Sequence, residues 1–493
     1  MSVIRKQTIL NTLFSYFGVF IGTITQAYVV PNYLSTEQNG ILQLLMSYMF
    51  IVAQIASLGF NNAGNRFFTF FRDPEKSHKG YLNLGLKFTA LGVAISYLAL
   101  FLLKSTLVKN AGEKSNLFEN YYWLIYPISL ATVLFNLFDN FLKSNYQTVW
   151  GTFLSQFLQR FLIFLSLFLI IFKITDFENF TIFWAIGLSI PTLLIVFQAF
   201  STPGGNLKSE SFFKNWNKKQ EFFTFSMIST LTGISTLIIA HLDKILIYRY
   251  LGLSMTGIYG TVSLFGSVMG MSYMAVVKAS AAIVIDSINT HDIPKLERIY
   301  KKSALTQFAF GCLVIIGVYF SIDHLFHFIK PQYEVGKNAL LLIGFAKLID
   351  LSNGINGLIL SNSKYYKIDT ILVITFVGLL LILNNLLIPN YGLNGAGLAV
   401  LISMVYYNFT RTLVVYIVFG IHPFSKKQFL VGVLALSLLL IGWLFGREIV
   451  FFQNHFISLT FKSVGILVLF ILFILVLKIV PELNKLWIKY IKN

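Results

Sequence analysis

The chain has 493 residues, of which 56% are hydrophobic and only 12% charged, a usage that excludes a soluble globular enzyme or binding domain. Its 38 Lys and Arg against 20 Asp and Glu give a formal net charge of +18. The basic residues lie mostly in short loops between apolar runs, which argues for positive-inside membrane topology and against a nucleic-acid partner.

Each apolar run approaches the roughly 20 residues that a helix needs to cross a hydrocarbon core with its backbone amides satisfied internally. The first, at 9–30, follows Arg5 and Lys6 with no small-residue cleavage pattern before Pro31, so it reads as a span and not as a cleaved signal. Runs at 41–60, 82–103, 121–142, 150–172 and 180–200 follow. The second is trailed by the basic stretch Arg66 to Lys87, and the fourth ends at Asp139 and Lys143, four apart and so placed to form an ion pair. A polar break at 201–221, STPGGNLKSESFFKNWNKKQE, has the Pro, Gly, Ser and Lys content of a linker.

Beyond it, runs fall at 222–250, 256–280, 304–321, 337–361, 368–388, 394–418, 428–446 and 457–480. Cys312 lies inside one of them, and as the lone cysteine it excludes an internal disulfide. Lys347 and Asp350 share a face of the tenth run, for which an internal ion pair is the economical reading. The expected fold is therefore all-α and integral to the membrane, with about fourteen transmembrane helices. With both termini cytoplasmic, about 25 Lys and Arg fall on the cytoplasmic side and about 9 outside.

A repeat divides the chain. YLSTEQNGI after the first run carries Tyr33, Leu34, Gly40 and Ile41; YLGLSMTGI after the seventh carries Tyr250, Leu251, Gly257 and Ile258 at the same spacing. Two related six-helix lobes with a crevice between them are a recurrent transporter plan. The expected organisation is an N-terminal lobe at 1–200, a cytoplasmic linker at 201–221, a C-terminal lobe at 222–420 and two additional helices at 421–493.

Three segments, YLSTEQNGILQLLMSYMFIVAQIASLGFNNAGNRFF, HLDKILIYRYLGLSMTGIYG and IPNYGLNGAGLAVLIS, resemble the polysaccharide-biosynthesis flippases of the multidrug/oligosaccharidyl-lipid/polysaccharide exporter superfamily, the Wzx-type O-antigen branch in particular. The resemblance extends over nearly the whole chain in length, span count and linker position. It rests locally on Asp243 and Lys244, on Gly257, Ile258 and Tyr259, on Leu58 to Arg66, and on Gly392, Gly395, Ala396 and Gly397. It implies two lobes around a V-shaped cavity, undecaprenyl-pyrophosphate-linked oligosaccharide as cargo, and translocation from the cytoplasmic to the outer leaflet of a bacterial plasma membrane. It further implies a monomer whose partners are the bilayer, the lipid-linked substrate and, as candidates, a polysaccharide polymerase and chain-length machinery.

A charge at mid-bilayer costs several kcal/mol, so ionisable residues within spans face either water or a partner. Arg160, Lys278 and Arg411, together with Lys244, are the candidate cations for a pyrophosphate, Arg by its planar fork and Lys as a point charge. Snorkelling to the interface or pairing with a carboxylate is the competing reading for each. Asp243 and Lys244 point about 100° apart, so each needs its own partner. Gln26 occupies the place of Asp243 in the repeat, and this polar position serves either a coupling cation or an interhelical contact. His241, beside it, reads as a hydrogen-bonded structural histidine or a group titrating near neutral pH.

No G-x-x-x-x-G-K-[ST] loop, H-E-x-x-H, paired-cysteine metal site or G-x-S-x-G elbow occurs, so no cofactor, metal or enzymatic activity is expected. The alternatives are a lipid II flippase, a cation-coupled drug or metabolite antiporter, and a membrane polysaccharide polymerase, the last disfavoured by short external loops.

Overall fold

The computed structural model describes residues 3–109, 117–207, 212–445, 464–465, 468–473 and 475. Residues 208–211 of the expected linker, most of the expected last span at 457–480 and the chain ends lie outside them. Among the described residues the chain is all-helical, and its apolar helices make it a multi-pass membrane protein. Among the described residues, nine helices are long and apolar enough to cross a membrane, or ten with one bent pair included.

The elements run α1 (Lys6–Tyr33), α2 (Thr36–Ala56), α3 (Phe60–Phe71), α4 (Tyr81–Val108), α5 (Leu117–Ser144), α6 (Thr148–Ile171) and α7 (Phe177–Phe200). Then come α8 (Lys219–Asn289), α9 (Ile293–His327), α10 (Lys337–Ser352), α11 (Asn356–Ser361), α12 (Tyr366–Phe419) and α13 (Lys426–Phe445).

Between α1 and α2 the chain turns at Ser35. The Ser35 hydroxyl accepts from the Gln38 amide while the Gln38 side chain accepts from the Ser35 amide, so two of the amides orphaned at the helix start are satisfied. The same turn in the repeat is made differently. α8 runs for 71 residues, and as a straight helix it would extend roughly 105 Å, several times the bilayer. It is broken at Gly252, whose φ of 86° and ψ of −175° belong to a region open in practice only to glycine. The runs at 222–250 and 256–280 lie on the two sides of this break, with no loop between them. α12 repeats the device at Gly392, three residues after Pro389.

By its internal packing the chain divides into Met1–Gly257 and Ile258–Asn493, the boundary falling inside α8. One core of the first unit gathers Leu44, Tyr48, Phe118, Tyr122, Trp184 and Tyr248. Another, at the end carrying the basic loops, is aromatic: Phe60, Phe67, Phe68, Phe71, Tyr81 and Phe141 enclose Trp216 of the expected linker. The described part of that linker is held down by hydrogen bonds from His78 to the Pro203 carbonyl (3.2 Å) and from Asn83 to the Leu207 carbonyl (3.2 Å). In the second unit Cys312 is a core residue among Ile315, Ile316 and Val431.

Candidate functional site

Each unit holds a hydrogen-bonded group of polar side chains within its helices. In the first unit, α2 carries Asn39, Gln43 and Ser47 on one stripe, four residues apart and all buried. α1 brings Gln26 to this stripe from a π-helical turn at Thr25–Val29, a local widening that is common at functional positions. α8 contributes His241, Asp243 and Lys244.

Lys244 Nζ donates to Gln43 Oε1 at 2.9 Å. With its oxygen so occupied, the Gln43 amide donates both hydrogens, to Gln26 Oε1 (3.3 Å) and to Asn39 Oδ1 (3.5 Å), which fixes its orientation. Asn39 in turn donates to the Gly257 carbonyl at 2.9 Å. Ser47 lies 3.3 Å from His241 Nδ1, and the His241 ring stacks on Phe50 with centroids 5.2 Å apart. Asp243, at 8% exposure, is buried in the same region.

Arg160 sits on α6 directly after a second π-helical turn, Phe153–Leu158. Its Nη2 donates to Gln156 at 3.0 Å. Gly22 of α1 leaves the room it occupies, since a Cβ there would lie 3.1 Å from Arg160 Cδ. Among the described residues, no carboxylate lies within ion-pair distance of this guanidinium. A cation satisfied only by a neutral amide keeps most of its field.

The second unit differs. Arg411 of α12 donates through both Nε and Nη2 to Asp369 Oδ1, at 2.8 Å each, and lies over the Tyr407 ring at 4.2 Å. Around it, Thr412 donates to Asn353 (2.8 Å), Asn356 donates to Asn408 (3.2 Å), and Asn408 donates to Asp350 (3.2 Å). Much of the Arg411 charge is therefore cancelled locally. Lys278 is exposed and, among the described residues, has no hydrogen-bonding or ionic partner. The expected ion pair between Asp139 and Lys143 forms. Lys347 and Asp350 make none, and the Asp350 carboxylate accepts from Asn408 instead.

Sequence reasoning named Lys244 as a cation for the substrate and Gln26 and Asp243 as equivalent polar positions of the two repeats, without linking Gln26 to Lys244 through Gln43 as the structure does. It missed Gln43, Asn39 and the Asn353, Asn356 and Asn408 group, because neutral amides do not register in a search for charges. A four-residue polar period inside an apolar helix was the available signal.

No family profile matches this sequence, nor does any curated protein. Among solved structures, the chain is similar to the lipid II flippase MurJ in an inward closed conformation, at 14% identity and a TM-score of 0.74, over 94% of this chain and 98% of that one. It is also similar to an inward-facing multidrug resistance MATE family transporter of the MOP superfamily, at 13% identity and a TM-score of 0.63, over 84% and 98% of the two chains. A MATE protein in complex with MaL6 follows at 14% identity and a TM-score of 0.57, over 84% and 96%. The fold is the one these proteins share.

Proposed function

We propose that this protein is a flippase that carries an undecaprenyl-pyrophosphate-linked oligosaccharide, such as an O-antigen, capsule or exopolysaccharide unit, across a bacterial plasma membrane by alternating access. The observation that carries this reading is Arg160, a guanidinium inside a membrane-spanning helix whose hydrogen-bond partner is the neutral Gln156. A membrane-embedded cation without a carboxylate is costly to keep, and it is offset when an anionic headgroup arrives. Lys244, donating to the neutral oxygen of Gln43, supplies a second positive group in the same unit. An antiporter of cationic compounds would favour embedded carboxylates left available instead.

No chemical step is involved. Moving the anionic head outward is favoured by an inside-negative potential, by about 2.3 kcal/mol per charge per 100 mV. A second reading, a flippase for lipid II, is favoured by the more extensive similarity to MurJ than to the MATE transporters.

Purified protein in proteoliposomes, supplied with fluorescent undecaprenyl-pyrophosphate oligosaccharide or with fluorescent lipid II, tests both. Translocation of the first, slowed at least about tenfold by Arg160→Gln at equal reconstitution, supports the main reading. Translocation of lipid II alone transfers the assignment to the second. Movement of neither lipid, or an unchanged rate in Arg160→Gln, refutes the role given to this cation.

A further inference from the structure

We propose that a cavity at the start of α8 is a binding site for an anionic phospholipid, with the phosphate held by Arg66 and Lys218. The site lies wholly in the first unit and does not depend on the transport reading. The cavity has a volume of about 540 Å³, within the range of ligand sites. Its polar wall is formed by Arg66, Asn217, Lys218, Gln220, Thr224 and the carboxylate of Glu221, and its apolar wall by Phe225 and Ile228.

The two cations are held by aromatic faces. The Arg66 guanidinium lies 4.5 Å from the centroid of Phe225, and Lys218 Nζ lies 4.7 Å from that of Phe70. Cation–π contact positions a charge without neutralising it. Arg66 also approaches Glu221, but at 3.8 Å and with both side chains more than half exposed, so this pair is weak and a phosphate can replace it. Because Lys219 opens a long helix, the positive end of its dipole adds to the same field.

The shape of the neighbouring surface argues for a lipid over a free anion. Along α8, Met227, Ile228 and Leu231 are 71%, 51% and 65% exposed, an apolar strip running away from the cavity into the span. An amphipathic ligand with its phosphate between Arg66 and Lys218 covers that strip with an acyl chain. Inorganic phosphate leaves it bare. Trp216, packed on Phe67, Phe70 and Phe71 beside the cavity, belongs to the aromatic layer that marks a headgroup level.

The test uses the delipidated full-length protein in neutral detergent, with native mass spectrometry recording retained phosphatidylglycerol, phosphatidylethanolamine or undecaprenyl phosphate. Phosphatidylglycerol should be retained preferentially, and Arg66→Gln with Lys218→Gln should reduce that retention by about fivefold or more. Lys367→Gln, an exposed lysine elsewhere, should leave retention unchanged. If the double variant melts early, the exposed Lys218→Gln alone carries the comparison. Equal retention in the variant, equal loss in Lys367→Gln, displacement by millimolar inorganic phosphate, or preference for undecaprenyl phosphate would each overturn the assignment.

Discussion

Gly40 and Gly257 make the same contact with each other's helix. A Cβ on Gly40 would collide with the Leu253 carbonyl oxygen, and a Cβ on Gly257 would collide with the Thr36 carbonyl oxygen. Gly40 and Thr36 occupy in one repeat the places of Gly257 and Leu253 in the other, so the crossing is self-complementary in the manner of a two-fold interface. Thr36 and Ser254 hydroxyls, 2.7 Å apart, and the Asn39 bond to the Gly257 carbonyl close it.

Substitution at this crossing should therefore be costly and non-additive. Gly40→Ala and Gly257→Ala should each destabilise by about 1–3 kcal/mol, since backbone and not a flexible side chain must move. The double variant should cost less than the sum, because helices already parted by one methyl have room for the second. Thermal unfolding of all four proteins in detergent measures the coupling; strict additivity would contradict the shared contact.

Lys244 and Gln43 should behave as a unit. Gln43→Leu removes the acceptor of a membrane-embedded ammonium and should lower stability by at least about 2 kcal/mol. Adding Lys244→Met should recover most of that loss, as an apolar pair replaces a broken polar one. A melting temperature for the double variant no higher than that of Gln43→Leu would show that Lys244 is satisfied elsewhere.

For Arg411 and Asp369 the expectation is structural. Asp369→Asn leaves a buried guanidinium unpaired and should cost about 3–5 kcal/mol, whereas replacing both by leucine should be much milder. In the proteoliposome assay the doubly replaced protein should keep substantial activity when Arg160→Gln does not. Loss of transport in both would give the Arg411 pair a role beyond holding α12.

Gly252→Ala tests the loopless joint in α8. The backbone there costs a non-glycine residue about 1–3 kcal/mol, so folded yield and melting temperature should fall although the added methyl is small. An alanine variant as stable as wild type would mean that the turn relaxes to another geometry.

Much of this was written in one dimension. Span length, the bias of basic loops and the spacing shared by Tyr33–Ile41 and Tyr250–Ile258 follow from the cost of an unsatisfied amide or a charge in hydrocarbon, which each segment incurs alone. The π-helical turns beneath Gln26 and Arg160 were not legible, because they answer to helix packing and not to local composition.

What only the tertiary structure decided is which charges are answered. Arg160 and Arg411 look alike in sequence, each a lone arginine in an apolar run. The carboxylate that meets Arg411 comes from Asp369, 42 residues away on an earlier stretch of α12, and the amide that holds Lys244 comes from Gln43, 201 residues away on α2. Hydropathy records the cost of embedding a charge, but its compensation depends on neighbours brought together by packing.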